Sequence, residues 1–299
     1  MTKFLLFLIS LLFTLNCFGQ TTTVSFEYYQ KLIFFRMKVN NTDSLFFLFD
    51  TGANASAIDT KVSDKLNLKT AKNDTVEGTA GIINVPFVKA KTLSVGNSVV
   101  KNIYFTKYDL SGSLAPPNQY LAGIVGTDFL KHFVVTIDFQ NKQISFSKKN
   151  RDKLTNTIPL ELDNGIPGIK SSINDSITTF FRYDSGSSLF ETNDIYLNTS
   201  TSIFEKILFS DSTLKPVRFL SASGVGGSIK LPVYKINSVL LGNIEVKHPF
   251  LIIQPKQGYF ARTDAVGFFG NNLFEKFHKV TIDFINKYIC TKKPEINVL

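Results

Sequence analysis

The feature that most constrains this chain is that its second half repeats its first. Thr136-Ile137-Asp138-Phe139-Gln140-Asn141-Lys142-Gln143-Ile144 returns as Thr281-Ile282-Asp283-Phe284-Ile285-Asn286-Lys287-Tyr288-Ile289. Seven of the nine positions are identical, at an offset of 145 residues from Thr136 to Thr281. Upstream, Ile124-Val125-Gly126 returns as Phe268-Phe269-Gly270 at an offset of 144. Gly81, Pro86, Gly96-Asn97 and Lys101 return as Gly227, Pro232, Gly242-Asn243 and Lys247, all at 146. Chance does not keep so many pairs in one order.

The beginnings of the halves repeat as well. Residues 32–39 alternate loosely, turn at Asn40-Asn41, and run through the apolar stretch 46–49 into Asp50-Thr51-Gly52. Residues 169–173 turn at Asn174-Asp175 and run through 177–183 into Asp184-Ser185-Gly186. Asn and Asp tolerate the positive φ of a tight hairpin. Nine residues separate Asn41 from Asp50 and Asp175 from Asp184, but this offset is 134. The second half therefore carries about a dozen extra residues after its triplet, which we place within 191–215. Each half reads as strand, hairpin, acidic triplet, short helix, glycine-containing hairpin, further strands, a Gly-headed short helix and a last strand. The first helix is expected over 56–66, and Thr127 and Asn271 are expected to cap the later ones. Twenty-nine Phe, no Trp and short Val/Ile/Thr-rich runs favour sheet. The polar, charged residues 150–157 form a natural join.

An isolated Asp-Thr-Gly is commonly an ordinary turn. Here both copies follow an apolar strand, which carries an acid inward, and both precede small residues, Ala53-Asn54-Ala55 and Ser187-Ser188. Both also hold the same place in a duplicated unit, so a pseudo-twofold axis would bring them together. Two carboxylates within hydrogen-bonding distance cannot both ionise easily, and the pair shares a proton. That state suits peptide hydrolysis: the ionised acid takes a proton from water and the protonated one binds the scissile carbonyl. It requires no metal, cofactor or covalent nucleophile.

With these residues the chain resembles the pepsin and retroviral-protease superfamily, in particular its bacterial two-lobed, retropepsin-like members, from about Val24 to Cys290. The resemblance implies an all-β, bilobal pepsin-like fold: two related β-barrel-like lobes with short helices and pseudo-twofold symmetry. After a leader over 1–19, read from the residues themselves, it implies an N-terminal lobe over 20–150 and a C-terminal lobe over 151–299. It makes Asp50 and Asp184 the catalytic pair of an endopeptidase acting on peptides or proteins. Thr51 and Ser185 would brace the two loops through cross-lobe hydrogen bonds, beside Gly52, Gly186 and Ser187, and the elements ending in Gly126 and Gly270 would thread behind them. Gly78-Thr79-Ala80-Gly81 resembles a retroviral glycine flap and lacks the tyrosine of pepsin-like flaps. Gly224 and Gly226 belong to a comparable second loop. One chain supplies both aspartates, so a monomer suffices. The competing reading is a catalytically weak or inactive peptide-binding module that keeps the fold. Retention of both aspartates and both glycines favours the enzyme.

Two finer expectations concern asymmetry. Asp184 is expected to be the more readily ionised, because the Ser187 hydroxyl can donate toward it and Ala53 has no hydroxyl. Arg182, on the face of Asp184 by period-two alternation, is read either as a cation lining the cleft or as a strand-end residue reaching solvent. Leu48 holds its place in the first half.

Other classes find no partners. There is no Gly-x-Ser-x-Gly elbow, and His132, His248 and His278 lie far apart, each near a Phe, without metal-ligand spacing. The basic cluster Lys148, Lys149, Arg151 and Lys153 lacks the aromatic companions of a nucleic-acid site and reads as a solvated linker. Lys3, the apolar run 4–15 and the small residues before Gln20 form an export signal; no other stretch is apolar enough to span a membrane. A signal anchor, or lipid at Cys17, is the weaker reading, since Thr14-Leu15-Asn16 fits lipoprotein sites poorly. Removal of the leader leaves Cys290 alone and a formal charge of +8, one less than the +9 of the whole chain. Export without disulfides suits a bacterial periplasm or cell surface.

Overall fold

A computed structural model describes residues 21–78, 81–150, 156–188, 193–224 and 227–292. The expected leader over 1–19, with Cys17, lies outside the described residues.

The fold is all-β, and its turns follow from the asparagines. Asn40 and Asn41 have φ of 52° and 60°, and Asn174 and Asp175 have φ of 48° and 57°. Positive φ at both central residues matches the twist of the flanking strands. Each turn therefore delivers an apolar strand into its triplet: Phe34 pairs with Leu48 and Met37 with Leu45, as Gly168 pairs with Arg182 and Ile173 with Ile177.

In the first half the strands form a closed ring. Leu32–Val39 is followed in the sheet by Leu45–Phe49, Leu121–Val125, Ala57–Asp59, Ser98–Tyr108 and Ile82–Val95. The last pairs back onto the first, Lys38 against Ser94. In the second half Ile166–Ile173, Ile177–Tyr183, Gly267–Phe269, Tyr196–Ser200, Phe250–Gln254 and Gly227–Lys235 follow the corresponding order. Here the long hairpin is broken. Strand Ser238–Leu241 continues Gly227–Lys235 and returns to Ile166–Ile173, with Ile173 opposite Val239. Pro249 lacks a ladder donor and His248 takes φ of 52°, which accounts for the break. The Gly96 and Gly242 turns share positive φ, 50° and 63°.

A six-stranded sheet is built from both halves. Val134–Asp138 pairs antiparallel with Lys279–Asp283, and Thr136 faces Thr281 with their hydroxyls 2.9 Å apart. The longest repeat in the sequence thus pairs with itself. Its repeated Asp-Phe-x-Asn-Lys string is a turn device. Asp138 accepts from the Asn141 N–H (2.8 Å) and Nδ2 (3.0 Å), and Asp283 from the Asn286 N–H (2.8 Å) and Nδ2 (2.9 Å). Lys142 and Lys287 then take positive φ, 50° and 59°. Buried Val135, Ile137, Val280 and Ile282 join the two halves' interiors into one core. Asp283 is fully buried. Asp283→Ala strands its donors and should cost roughly 2–3 kcal/mol, read as a lowered urea midpoint.

Two expectations need correction. The 56–66 helix is shorter: Ala57–Asp59 is a buried strand between Leu121–Val125 and Ser98–Tyr108, and helix begins at Thr60. Asp59 caps it, accepting from the N–H of Lys61 (2.9 Å) and Val62 (3.2 Å). Tertiary pairing overrode the local pattern. Thr127 and Asn271 are not caps but first helical residues, after Gly126 and Gly270. The extra length of the second half includes a ten-residue helix, Thr201–Ser210, within the expected interval.

Candidate active site

Each acidic triplet stands where an apolar strand ends. Leu45–Phe49 runs parallel to Leu121–Val125, and the Val125 carbonyl accepts the Asp50 N–H at 3.0 Å. Ile177–Tyr183 runs parallel to Gly267–Phe269, and the Phe269 carbonyl accepts the Asp184 N–H at 2.9 Å. The elements ending in Gly126 and Gly270 lie directly behind the loops. A methyl on Gly126 would stand 2.6 Å from the Ala53 carbonyl oxygen, and one on Gly270 would overlap the Ser187 carbonyl.

The two loops are tied by reciprocal hydrogen bonds. The Thr51 N–H donates to Ser185 Oγ (2.9 Å) and Thr51 Oγ1 donates to the Tyr183 carbonyl (2.6 Å). The Ser185 N–H donates to Thr51 Oγ1 (3.0 Å) and Ser185 Oγ to the Phe49 carbonyl (3.0 Å). Both hydroxyls are fully buried, so the four bonds are shielded from water. This clamp sets Gly52 against the Asp184 carboxyl and Gly186 against the Asp50 carboxyl, with no room for a Cβ at either glycine.

The carboxyl groups of Asp50 and Asp184 are hydrogen-bonded to each other. Desolvation raises both above the ordinary carboxylate range. Asp184 is raised well above it, by burial and then by the Asp50 charge beside it. Asp50 Oδ1 accepts the N–H groups of Gly52 (2.8 Å) and Ala53 (3.1 Å), and the Gly186 N–H also favours its charged form. Asp184 Oδ1 accepts the Gly186 N–H at 3.1 Å, with the Ser187 N–H adding to it. Two backbone N–H groups on Asp50 Oδ1 against one on Asp184 Oδ1 favour charge on Asp50 and the shared proton on the Asp184 side. This reverses the expected order. Ala53 donates through its backbone as Ser187 does, so the side-chain difference decides nothing.

Arg182 is buried, and both Nε (2.9 Å) and Nη2 (2.6 Å) donate to Asp163 Oδ2. It lines a cavity with Asn54 of the first loop and Glu77 at the end of strand Lys69–Glu77. Arg182 thus faces a cavity lined by both halves rather than open solvent, and its charge is matched by Asp163. The hairpin expected to form the flap, Lys69–Glu77 and Ile82–Val95, reaches the second half, where the Gly78 carbonyl accepts the Tyr259 N–H at 3.0 Å. Gly78 itself donates to the Gly81 carbonyl at 2.8 Å. Thr79 and Ala80 lie outside the described residues, as does Gly226. Gly224 faces Gly227 at the end of its own hairpin.

Sequence reasoning missed Asn271. Its Nδ2 donates to the carbonyls of Ser185 (3.1 Å) and Lys31 (2.7 Å), and its Oδ1 accepts from Tyr183 Oη (2.6 Å). It holds the second loop from behind. In the first half Ser56 does so, accepting the Gly126 N–H (3.0 Å) and donating to Asp128 (2.6 Å). Tyr108 is another neighbour of the pair: burial, then the Asp50 charge, pushes its phenol up to about 12.

No helix among the described residues is long and apolar enough to cross a membrane. No curated protein matches the chain. Residues 35–129 match the family model described as Aspartyl protease, a stretch that contains Asp50-Thr51-Gly52 and Gly126 and supports a hydrolase of the protease type. The model matched over that segment is that of an aspartyl protease family of the pepsin/retropepsin-like clan.

Proposed function

We propose that this chain is an aspartic endopeptidase that hydrolyses peptide bonds with a water held between Asp50 and Asp184. The observation that carries the reading is the reciprocal clamp of Thr51 and Ser185, which holds two acidic loops face to face. In this reading the halves are two lobes related by a pseudo-twofold axis through the Thr136–Thr281 contact, with the join near residues 150–157. Both lobes lie in one chain, so a monomer is competent.

The protonation order assigns the roles. Ionised Asp50 takes a proton from the water as its oxygen bonds to the carbonyl carbon, and Asp184 gives its proton to the carbonyl oxygen. In the resulting diol, Asp50 passes its proton to the amide nitrogen as the C–N bond breaks. One diol hydroxyl returns a proton to Asp184, and the carboxyl product forms. The Gly52, Ala53 and Gly186 N–H groups keep Asp50 ionised at the start. The flap anchored at Gly78 would cover the bound peptide and exclude water.

We also propose export, on the strength of Lys3 and the apolar run 4–15, to a bacterial periplasm or cell surface. The decisive experiment is digestion of a denatured protein. The wild-type chain should cleave it in a pepstatin-sensitive manner, and Asp50→Asn should leave it intact. Cleavage by Asp50→Asn at the wild-type rate would end the reading.

A further inference from the structure

A cavity of about 350 Å³ has walls from both halves, among them Arg182, two residues before Asp184. Asn54, four residues past Asp50, and Glu77 of the flap strand supply one side. Asn164, Arg182, Tyr259 and Arg262 supply the other. Two guanidinium groups lie over one ring: Arg182 Cζ is 4.2 Å and Arg262 Cζ 5.7 Å from the Tyr259 centroid. Stacking of this kind holds a guanidinium flat and leaves its edge free to donate.

The partners of these cations are unequal. Arg182 bonds one oxygen of Asp163 through Nε and Nη2, and its Nη1 has no acceptor among the described residues. Arg262 is held by Asp264 through Nε (2.9 Å) and Nη2 (2.7 Å). Its Nη1 meets only the Glu77 carboxylate, at 3.6 Å, beyond a direct hydrogen bond. Among the cavity's lining residues the charged groups are two cations and this one anion, and the anion rides on the flap hairpin.

We propose that this cavity is the specificity subsite of the enzyme proposed above, and that it takes an Asp or Glu side chain of the substrate, placed on the second-half side of the scissile bond. The bound carboxylate replaces Glu77 opposite Arg262 and accepts from Arg182 Nη1 and the amides of Asn54 and Asn164. An apolar side chain would leave Nη1 of the buried Arg182 without an acceptor. The matching position in the first half differs: Leu48 is buried in an apolar cluster with Leu110, Leu121 and Tyr108. The two sides of the acidic pair thus present different chemistry, apolar beside Asp50 and lined by ion-paired guanidinium groups beside Asp184.

The test uses the whole chain and a tryptic digest of a bacterial proteome as the peptide pool. Wild type should cleave with acidic residues enriched at one position by tenfold or more over their amides, and Arg262→Gln should bring that ratio near one. Arg262 is half exposed, so this variant folds; Arg182→Met is the riskier second variant. In parallel, Asp50→Asn and Asp50→Asn/Arg262→Gln proteins are mixed with the same pool, and retained peptides are identified by mass spectrometry. Cleavage without acidic enrichment, or enrichment that survives Arg262→Gln, overturns the subsite and leaves the protease reading standing. Acidic enrichment among retained peptides without any cleavage keeps the subsite and overturns the protease reading. Neither cleavage nor enrichment overturns both.

Discussion

Asp184→Asn should lose at least about a thousandfold in kcat/KM and yet melt higher than wild type at pH 7. The loss follows from removing the proton that polarises the carbonyl, a contribution of general-acid size, roughly 10²–10⁴-fold, together with the charge coupling of the pair. The gain in stability follows from linkage. Burial and the Asp50 charge raise the folded pKa of Asp184 well above its ordinary 3.8. An acid of this kind binds its proton more tightly in the folded chain than in the unfolded one. Its favourable contribution is fully present below the ordinary value and is lost as pH rises through the folded one. Each pH unit in that window costs about 1.4 kcal/mol. Asn cannot ionise and escapes that cost. For a chain of this size we expect a Tm increase of roughly 3 °C or more at pH 7, shrinking toward zero near pH 3.5. Thermal melts of both proteins at the two pH values check this. A Tm at pH 7 equal to or below wild type, or more than a tenth of wild-type kcat/KM, refutes the assignment of the proton to Asp184.

What the sequence made legible were the features whose physics is local or periodic. The Asn40-Asn41 and Asn174-Asp175 turns were readable because few residue types accept positive φ. The Asp138 and Asp283 strings were readable as a repeat because the same turn was built twice. The clamp between Thr51 and Ser185 came from the resemblance, and its hydroxyl donors suit the role. What escaped depended on backbone placement. The protonation order is set by N–H groups of Gly52, Ala53 and Gly186, which every sequence carries and no side chain announces. The pairing of Arg182 with Asp163 depends on register: Arg182 lies opposite Gly168, and the adjoining hairpin sets Asp163 opposite Ile166. Asn271 read as a helix start because Asn is common there, whereas its amide is directed to carbonyls of two other segments. The strand Ala57–Asp59 was hidden in a helix-like stretch because its partners come from residues far along the chain.

Gly52→Ala should abolish most activity while leaving the fold nearly as stable as before. A methyl at Gly52 overlaps the Cγ and both oxygens of the Asp184 carboxyl. The loops cannot part to admit it, because four buried hydrogen bonds through Thr51 and Ser185 hold them in register. What can yield is the Asp184 side chain, which retains partial solvent access and can rotate about χ1. Rotation breaks the carboxyl–carboxyl hydrogen bond and misplaces the acid by about an ångström or more, an error that costs on the order of 10²-fold in rate. Gly186→Ala should behave alike, since its methyl meets the Asp50 carboxyl. Gly126→Ala supplies the contrast. There the methyl meets the Ala53 carbonyl oxygen and the Ala55 backbone, which have no rotamer to adopt, so the cost falls on stability as well as on rate. We expect kcat/KM to fall at least about a hundredfold in all three variants, with the urea midpoint nearly unchanged for Gly52→Ala and clearly lowered for Gly126→Ala. A Gly52→Ala enzyme with more than a third of wild-type kcat/KM would show that the Asp184 carboxyl does not occupy the space beside Gly52 during turnover, and the geometry assigned to the acidic pair would have to be abandoned.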